Sequence, residues 1–496
     1  MARCQGRFPE EPALPVSADR KGHVVSEAAF ALSESYFGSG EFEVELSRRV
    51  AIRTESPESN QRPELYRYLI DELSPALTAM GFSCDLFENP IPDAGPFLVA
   101  RRFESERSPT VMSYGHGDVV RGYDEQWAEG LSPWELTKVG ERLYGRGTAD
   151  NKGQHTINLA AMRSVLTCRG SLGFNAVFLF ETGEERGSPG LREFCTTHRD
   201  LFDADVFIAS DGPRVQHDKP TIFMGSRGAF NFTMTLELRD GGHHSGNWGG
   251  LLANPGIIMA NAIASIADQN GRMLVDGWHA EEMSQSVRAA IGSIEVGGGA
   301  HDPAIDPDWG EPGFTPAERV FGTNTFEVLA FETGNPRNPV NAIPPRAVAH
   351  GHLRFVVGTR GSDLLPALRR HFDARGFHAI ELEATGEPME ATRLDPDDRW
   401  AQWAIASVER AAGRPVAVLP NLGGSLPNDV FAEVLGLPTI WVPHSYPGCS
   451  QHAPNEHVLM SVCREGLRIM TGLWWDLGAS LDPRSTQKTE HPPPRS

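Results

Sequence analysis

The sequence predicts an α/β protein with a mostly parallel central sheet flanked by helices, interrupted by a smaller inserted α+β module. Three observations carry that expectation. Short unbroken apolar runs alternate with stretches of helical spacing in two separate parts of the chain. Between about residues 222 and 390 the apolar runs give way to strict in–out alternation. Acids and histidines also gather directly after the apolar runs, where an open parallel sheet binds its ligands.

In chain order, residues 65–80 carry helical apolar spacing and stop at Gly81, a position that suits a positive φ. The buried strands are expected at 109–115 (PTVMSYG), 174–180 (FNAVFLF), 205–210 (DVFIAS), 415–420 (PVAVLP) and 438–443 (PTIWVP). Helices are expected from Lys152 to Leu166, from the Ser188-Pro189 pair onward, over 400–412 up to Gly413, and over 458–477. In the middle, 230–240, 347–358 and 377–384 alternate as half-exposed antiparallel strands do. Asn254-Pro255 opens one helix there, and Ser362 another that ends at Gly376. Residues 278–325, rich in Gly, Pro and Asp, read as a long irregular excursion. The expected division is a first catalytic part at 23–222, an insert at 223–390 and a second catalytic part at 391–479. Residues 1–22 and 480–496 are expected to be flexible tails.

Composition narrows the partners. The 496 residues carry 45 Lys+Arg against 65 Asp+Glu, a formal net charge of −20. Nucleic acid binding needs a basic face, so it is not expected. No run of about 18 apolar residues suggests a membrane span. The first residues lack the apolar core of a secretory signal, and the six cysteines show no CxxC spacing. A cytoplasmic enzyme is the expectation.

The chemistry is read from the residues at the end of each strand. His116-Gly-Asp118 comes after the first run, Glu181 and Glu184-Glu185 after the second, and Asp211 after the third. His444, His452 and Glu456 come after the last, and Asp150 precedes a helix. Taken singly these are a cap, a solvated acidic pair and a turn. Together at one rim they would repel one another unless a divalent cation were bound. Mixed His and carboxylate donors suit zinc, with manganese or cobalt as substitutes. Asp118, two residues from His116, could take the far N–H of a metal-bound His116. Glu184 and Glu185 diverge, so one can bind metal while the other serves as general base toward a metal-bound water.

The ordered set HGD, GRGTADNKG, ETGEERGSPG, SDGP and QHAPNE resembles the carnosinase, aminoacylase and glutamate-carboxypeptidase family of co-catalytic zinc hydrolases, over about residues 40 to 477. The resemblance implies two zinc ions per subunit. His116 and Asp211 would hold one, Glu185 and His452 the other, and Asp150 would bridge them. Glu184 would be the base and Asp118 would orient His116. A cis peptide after Asp150 is also implied.

The insert would be the family's dimerisation or lid domain. His244, or its neighbour His243, would reach across a homodimer to stabilise the oxyanion. Arg354 is implied as the clamp for a substrate carboxylate, with Asn341, Gly424 and Ser425 nearby. The activity implied is cleavage of dipeptides or short peptides with a free C-terminal carboxylate. N-acyl-amino-acid amide hydrolysis is the nearest alternative, and a non-catalytic metal-binding scaffold is the alternative of a different class.

Overall fold

The central sheet has eight strands, and its order explains why the functional loops converge. In a computed structural model describing residues 27–56, 58–297 and 304–479, with the short strands Ser17–Ala18 and Val24–Val25, the strand order is Ala417–Leu419, Thr221–Phe223, Thr439–Trp441, Val206–Ala209, Thr110–His116, Asn175–Glu181, Phe97–Arg102 and Ser83–Phe87. Parallel pairing joins Thr439–Trp441, Val206–Ala209, Thr110–His116 and Asn175–Glu181 in the middle. Phe97–Arg102 and Ser83–Phe87 complete one edge antiparallel. Neither of these two strands is announced by the sequence pattern. FLVARR loses its apolar character after four residues, and SCDLF is mostly exposed.

Along each central strand, alternate residues enter different cores, as a two-sided sheet requires. Val111, Ala176, Phe178 and Phe180 face one side, where Lys152–Arg169, Arg399–Ala412 and Met460–Gly478 pack. Met112, Tyr114, Val177 and Leu179 face the other. Lys152–Arg169 closes on Gly170 at φ 79°, the left-handed conformation that glycine adopts without steric cost. Arg399–Ala412 starts at Asp398, whose carboxylate accepts the N–H groups of Trp400 and Ala401.

The helices differ from the sequence expectation in three places. The helix of 65–80 is three segments, Arg62–Arg67, a wider turn at Tyr68–Leu73, and Ser74–Ala79. Pro75 lacks the N–H that an unbroken helix would use. The segment opened by Ser188-Pro189 becomes helical only at Leu191–Thr197, because Ser188 has φ 53° and gives its hydroxyl to Glu181. The terminal helix begins at Met460, since His457–Leu459 pairs as a strand with Arg142–Tyr144.

The second sheet has four antiparallel strands in the order Thr325–Thr333, Arg346–Phe355, Gly228–Glu237 and Glu381–Ala384. Its apolar face packs a separate core of Phe232, Trp278, Leu353 and Phe372 with residues of the helices Pro255–Ile266 and Gly361–Ala374. The strand expected from 377 begins only at Glu381. The stretch 278–325, expected to be irregular, holds two helices, Gln285–Ile291 and Pro316–Gly322. The second has a reciprocal cap between Thr315 and Glu318, legible as T-x-x-E but hidden among glycines and prolines.

Of the expected tails, Ser17–Ala18 pairs with Val24–Val25. The rest of 1–22, and 480–496, lie outside the described residues. Among the described residues no helix is long and apolar enough to cross a membrane, and Cys84, Cys195, Cys449 and Cys463 are free thiols. Asp398→Ala should lower stability by about 1 kcal/mol, read as a lower urea midpoint, because two N–H groups at that helix start lose their acceptor.

Candidate metal centre

Parallel register brings the chemistry to one rim. His116 ends Thr110–His116 and lies opposite Glu181 at the end of Asn175–Glu181. Asp211 follows two residues after Val206–Ala209. The loop ending in Asp150 is brought to the same rim by the ladder between Arg142–Tyr144 and His457–Leu459, with Gly145 N–H donating to the Glu456 carbonyl at 3.0 Å. The Asp150–Asn151 peptide is cis, as the resemblance implies.

Two groups of donors result, and they share one carboxylate. His116, Asp150 and Asp211 offer ligand atoms within 4.8 Å of one another, as do Asp150, Glu185 and His452. His116 Nε2 lies 2.9 Å from Asp150 Oδ1 and 3.5 Å from Asp211 Oδ2. His452 Nε2 lies 3.0 Å from Asp150 Oδ2 and 3.0 Å from Glu185 Oε2. Each oxygen of Asp150 thus faces a different imidazole.

The electrostatics show what this cluster lacks. Burial, with the Asp150 carboxylate adding to it, pushes Glu185 up to about 7 and Asp211 up to about 6. Burial also pushes Glu184 well above the usual range. Asp150 resists the same burial because hydrogen bonds from His116 and His452 hold it low. In return, Asp150 and Glu185 push His452 up to about 11. His116 is held well above its ordinary value by Asp118 and Asp150, although burial opposes its charge. Protons on two imidazoles thus stand in for positive charge that the acids require. Asp211 Oδ2 is buried and has no hydrogen-bond partner. An orphaned carboxylate oxygen facing an imidazole nitrogen, among mixed oxygen and nitrogen donors, fits a divalent cation.

A surrounding set of bonds fixes these ligands. His116 Nδ1 is 3.1 Å from the Asp118 carbonyl and 3.4 Å from Asp118 Oδ1. The two Asp118 carboxylate oxygens accept the N–H groups of Glu184 and Glu185, both at 3.2 Å. The residue expected to orient His116 is therefore also the anchor of the acidic pair. Glu456 holds the Asp150 loop: Oε1 accepts from Gly147, Ala149 and Asp150, and Oε2 from Arg146 at 2.7 Å. His155 bridges Tyr68 and the Asn151 side chain, a structural role. Burial keeps His444 neutral beside Ser210, and Glu181, pushed up to about 7 by burial, accepts from Tyr114 and Ser188.

The remaining candidates form two further groups. Arg354 donates to Ser425, which donates to the Arg227 carbonyl at 2.6 Å, while the Gly424 carbonyl accepts from Arg227 N–H. His243 and His244 pair with Ile343 and Ala342, and the Asn341 carbonyl accepts from Ser245. His244 Nδ1 accepts the Gly246 N–H at 3.0 Å, and both His244 and Asn341 are exposed. Among the described residues no hydrogen bond or ion pair joins either group to the His116–Asp150–Asp211 cluster. Sequence reasoning missed Gln451, which donates to Asp150, although it directly precedes His452. It also missed Arg227, a second guanidinium beside Arg354, pushed down to about 10 by burial and then by Arg354. Nothing in the motif around Arg227 marks it out.

The model of the family described as Peptidase family M20/M25/M40 matches residues 112–476. A Beta-Ala-His dipeptidase of Rattus norvegicus is 33% identical over 250 residues, covering 48% of this chain and 50% of its own. A cysteinylglycine-S-conjugate dipeptidase of Corynebacterium striatum is 26% identical over 366 residues, covering 70% and 76%. The chain spans about half the length of the first of these relatives. In fold it is similar to the di-peptidase Dug1p of Saccharomyces cerevisiae, with a TM-score of 0.75 at 20% identity over 91% of this chain and 98% of that one. The metallo-carboxypeptidase Sso-CP2 of Sulfolobus solfataricus gives 0.77 at 22% identity over 88% and 99%.

Removing Glu456 leaves the buried Arg146 charge and three N–H groups unpaired. Glu456→Ala should therefore cost about 3–5 kcal/mol in a denaturant titration. An unchanged midpoint would show that the pair does not hold the Asp150 loop.

Proposed function

Because the chain belongs to peptidase family M20/M25/M40, we propose that it hydrolyses the amide bond of dipeptides or short peptides with a free C-terminal carboxylate. The observation that carries this reading is Asp150, shared by two donor groups with the acidic pair Glu184-Glu185 alongside. In this reading two zinc ions bind, with manganese or cobalt able to substitute. His116 and Asp211 hold one, Glu185 and His452 the other, and Asp150 both. Such ions, when bound, polarise the scissile carbonyl and acidify a water.

The chain's own residues do the rest. Glu184, its backbone N–H held by Asp118, takes the proton from the attacking water and returns it to the leaving amine. Asp118 keeps His116 turned toward the centre through Nδ1. Arg354, with Ser425 and the Gly424 backbone beside it, holds the substrate carboxylate. His244, next to Asn341, serves the active site of the second subunit in a homodimer by donating to the developing oxyanion. Closure of the inserted domain brings these groups onto the substrate.

Two measurements test this. Glu184→Gln should lose at least about 100-fold in kcat on a dipeptide such as Ala-Leu while metal analysis shows unchanged zinc. Chelation should abolish wild-type activity, and zinc should restore it. Rapid hydrolysis by zinc-loaded Glu184→Gln protein would remove Glu184 as the base. Separately, His244→Ala and Glu184→Gln proteins, each inactive, should regain partial activity when their subunits are mixed and exchanged. Activity no greater than the two parts added together would remove the role across the dimer.

A further inference from the structure

A cavity of about 380 Å³ lies beside the metal cluster, lined by neither the metal donors nor Arg354. One wall is the chain just after Asp211, at Pro213 and Val215. The floor is Leu422 with Gly423 and Gly424. The far wall is Val296, Ile305 and Phe321 of the 278–325 stretch, of which Phe321 and Val296 pack with the core on the central sheet's second face. These surfaces are apolar. Arg214 also borders the cavity: its Nη1 donates to Glu465 and its Nε to the Pro443 carbonyl, while its Nη2 is buried without a partner. Glu295, at the mouth, is largely exposed and lies 3.8 Å from Lys219.

The position of the cavity decides what it can hold. A Cβ placed on Gly212 would come within 3.2 Å of Leu422 Cδ2, so the Asp211 loop and the floor are in contact. Gly424 leads directly into Ser425, the partner of Arg354. The cavity therefore runs alongside the path from the metal donors to the carboxylate clamp. In a substrate with its scissile carbonyl at the donors and its free carboxylate at Arg354, only one residue spans that path. It is the residue that carries the carboxylate, and its side chain is the group placed against this cavity.

We propose that the cavity walled by Leu422, Phe321, Val296 and Ile305 selects an apolar side chain, of leucine or phenylalanine size, on the carboxylate-bearing residue of the substrate. This rests on the amide-hydrolase reading above. It applies equally to a peptide and to an N-acyl amino acid, since both present that residue to the clamp. It also gives the 278–325 excursion a task, because Val296, Ile305 and Phe321 all lie in it. Burying such a side chain against apolar walls discriminates by about 10- to 200-fold.

The test is a series Ala-Gly, Ala-Asp, Ala-Leu and Ala-Phe, assayed with the zinc-loaded protein and with Val296→Trp and Ile305→Trp, each checked for folding by circular dichroism. The wild type should favour Ala-Leu and Ala-Phe over Ala-Gly and Ala-Asp by at least tenfold in kcat/KM. At least one tryptophan variant, by filling the cavity, should erase most of that preference while still cleaving Ala-Gly. Cleavage of all four dipeptides at similar kcat/KM, or a preference unchanged in both folded variants, overturns the cavity assignment and leaves the amide-hydrolase reading standing. No cleavage of any dipeptide or of N-acetyl-leucine by the zinc-loaded wild type overturns both.

Discussion

The buried carboxylate of Asp150, caught between two imidazoles, is the constraint on which the site depends. One oxygen faces His116 and the other His452, at 2.9 and 3.0 Å. Asp211 and Glu185 complete the two groups, so three buried acids surround two rings. Three carboxylates this close in a poorly solvated cleft repel one another strongly. The protein's own response is to hold protons on the imidazoles, yet one oxygen of Asp211 stays unpartnered. A cluster of this kind is stable as a receptor for positive charge and poorly suited to anything else.

The fold can be understood as the means of holding that cluster against its own repulsion. Parallel strands deliver His116 and Asp211 to the same rim, and the large apolar cores on both faces keep the sheet rigid beneath them. The loop ending in Asp150, which belongs to no strand, is tied down by Glu456, which accepts three N–H groups and an arginine. Asp118 does the same for the acidic pair by accepting both of its N–H groups. The acids that would bind metal are thus fixed by other acids that would not. The −20 charge of the chain is in part this arrangement.

Much of the centre was legible in the sequence, for a physical reason. Central strands buried on both faces are continuous apolar runs, so their ends are easy to place, and polar residues just past those ends are conspicuous. His116, Asp118, Glu184, Glu185 and Asp211 stand out in this way, and the motif order adds Asp150 and His452. The elements that escaped notice lack such contrast. Phe97–Arg102 turns charged after four residues, Ser83–Phe87 at the sheet edge is mostly exposed, and the Thr315–Glu318 cap sits in a stretch whose glycines and prolines read as loop. Gln451 and Arg227 act through contacts with residues far away in the chain, which no local pattern reports. The insert was legible as alternating strands, but the joining of Arg354, Ser425 and Arg227 links strands and a loop nearly two hundred residues apart at the widest.

The central claim is that the Asp150 cluster binds two cations, and anomalous diffraction at the zinc edge from crystals grown with zinc tests it most directly. Two peaks should flank Asp150, one against His116 and Asp211 and the other against Glu185 and His452. A single peak, or zinc bound elsewhere with the cluster empty, would contradict it.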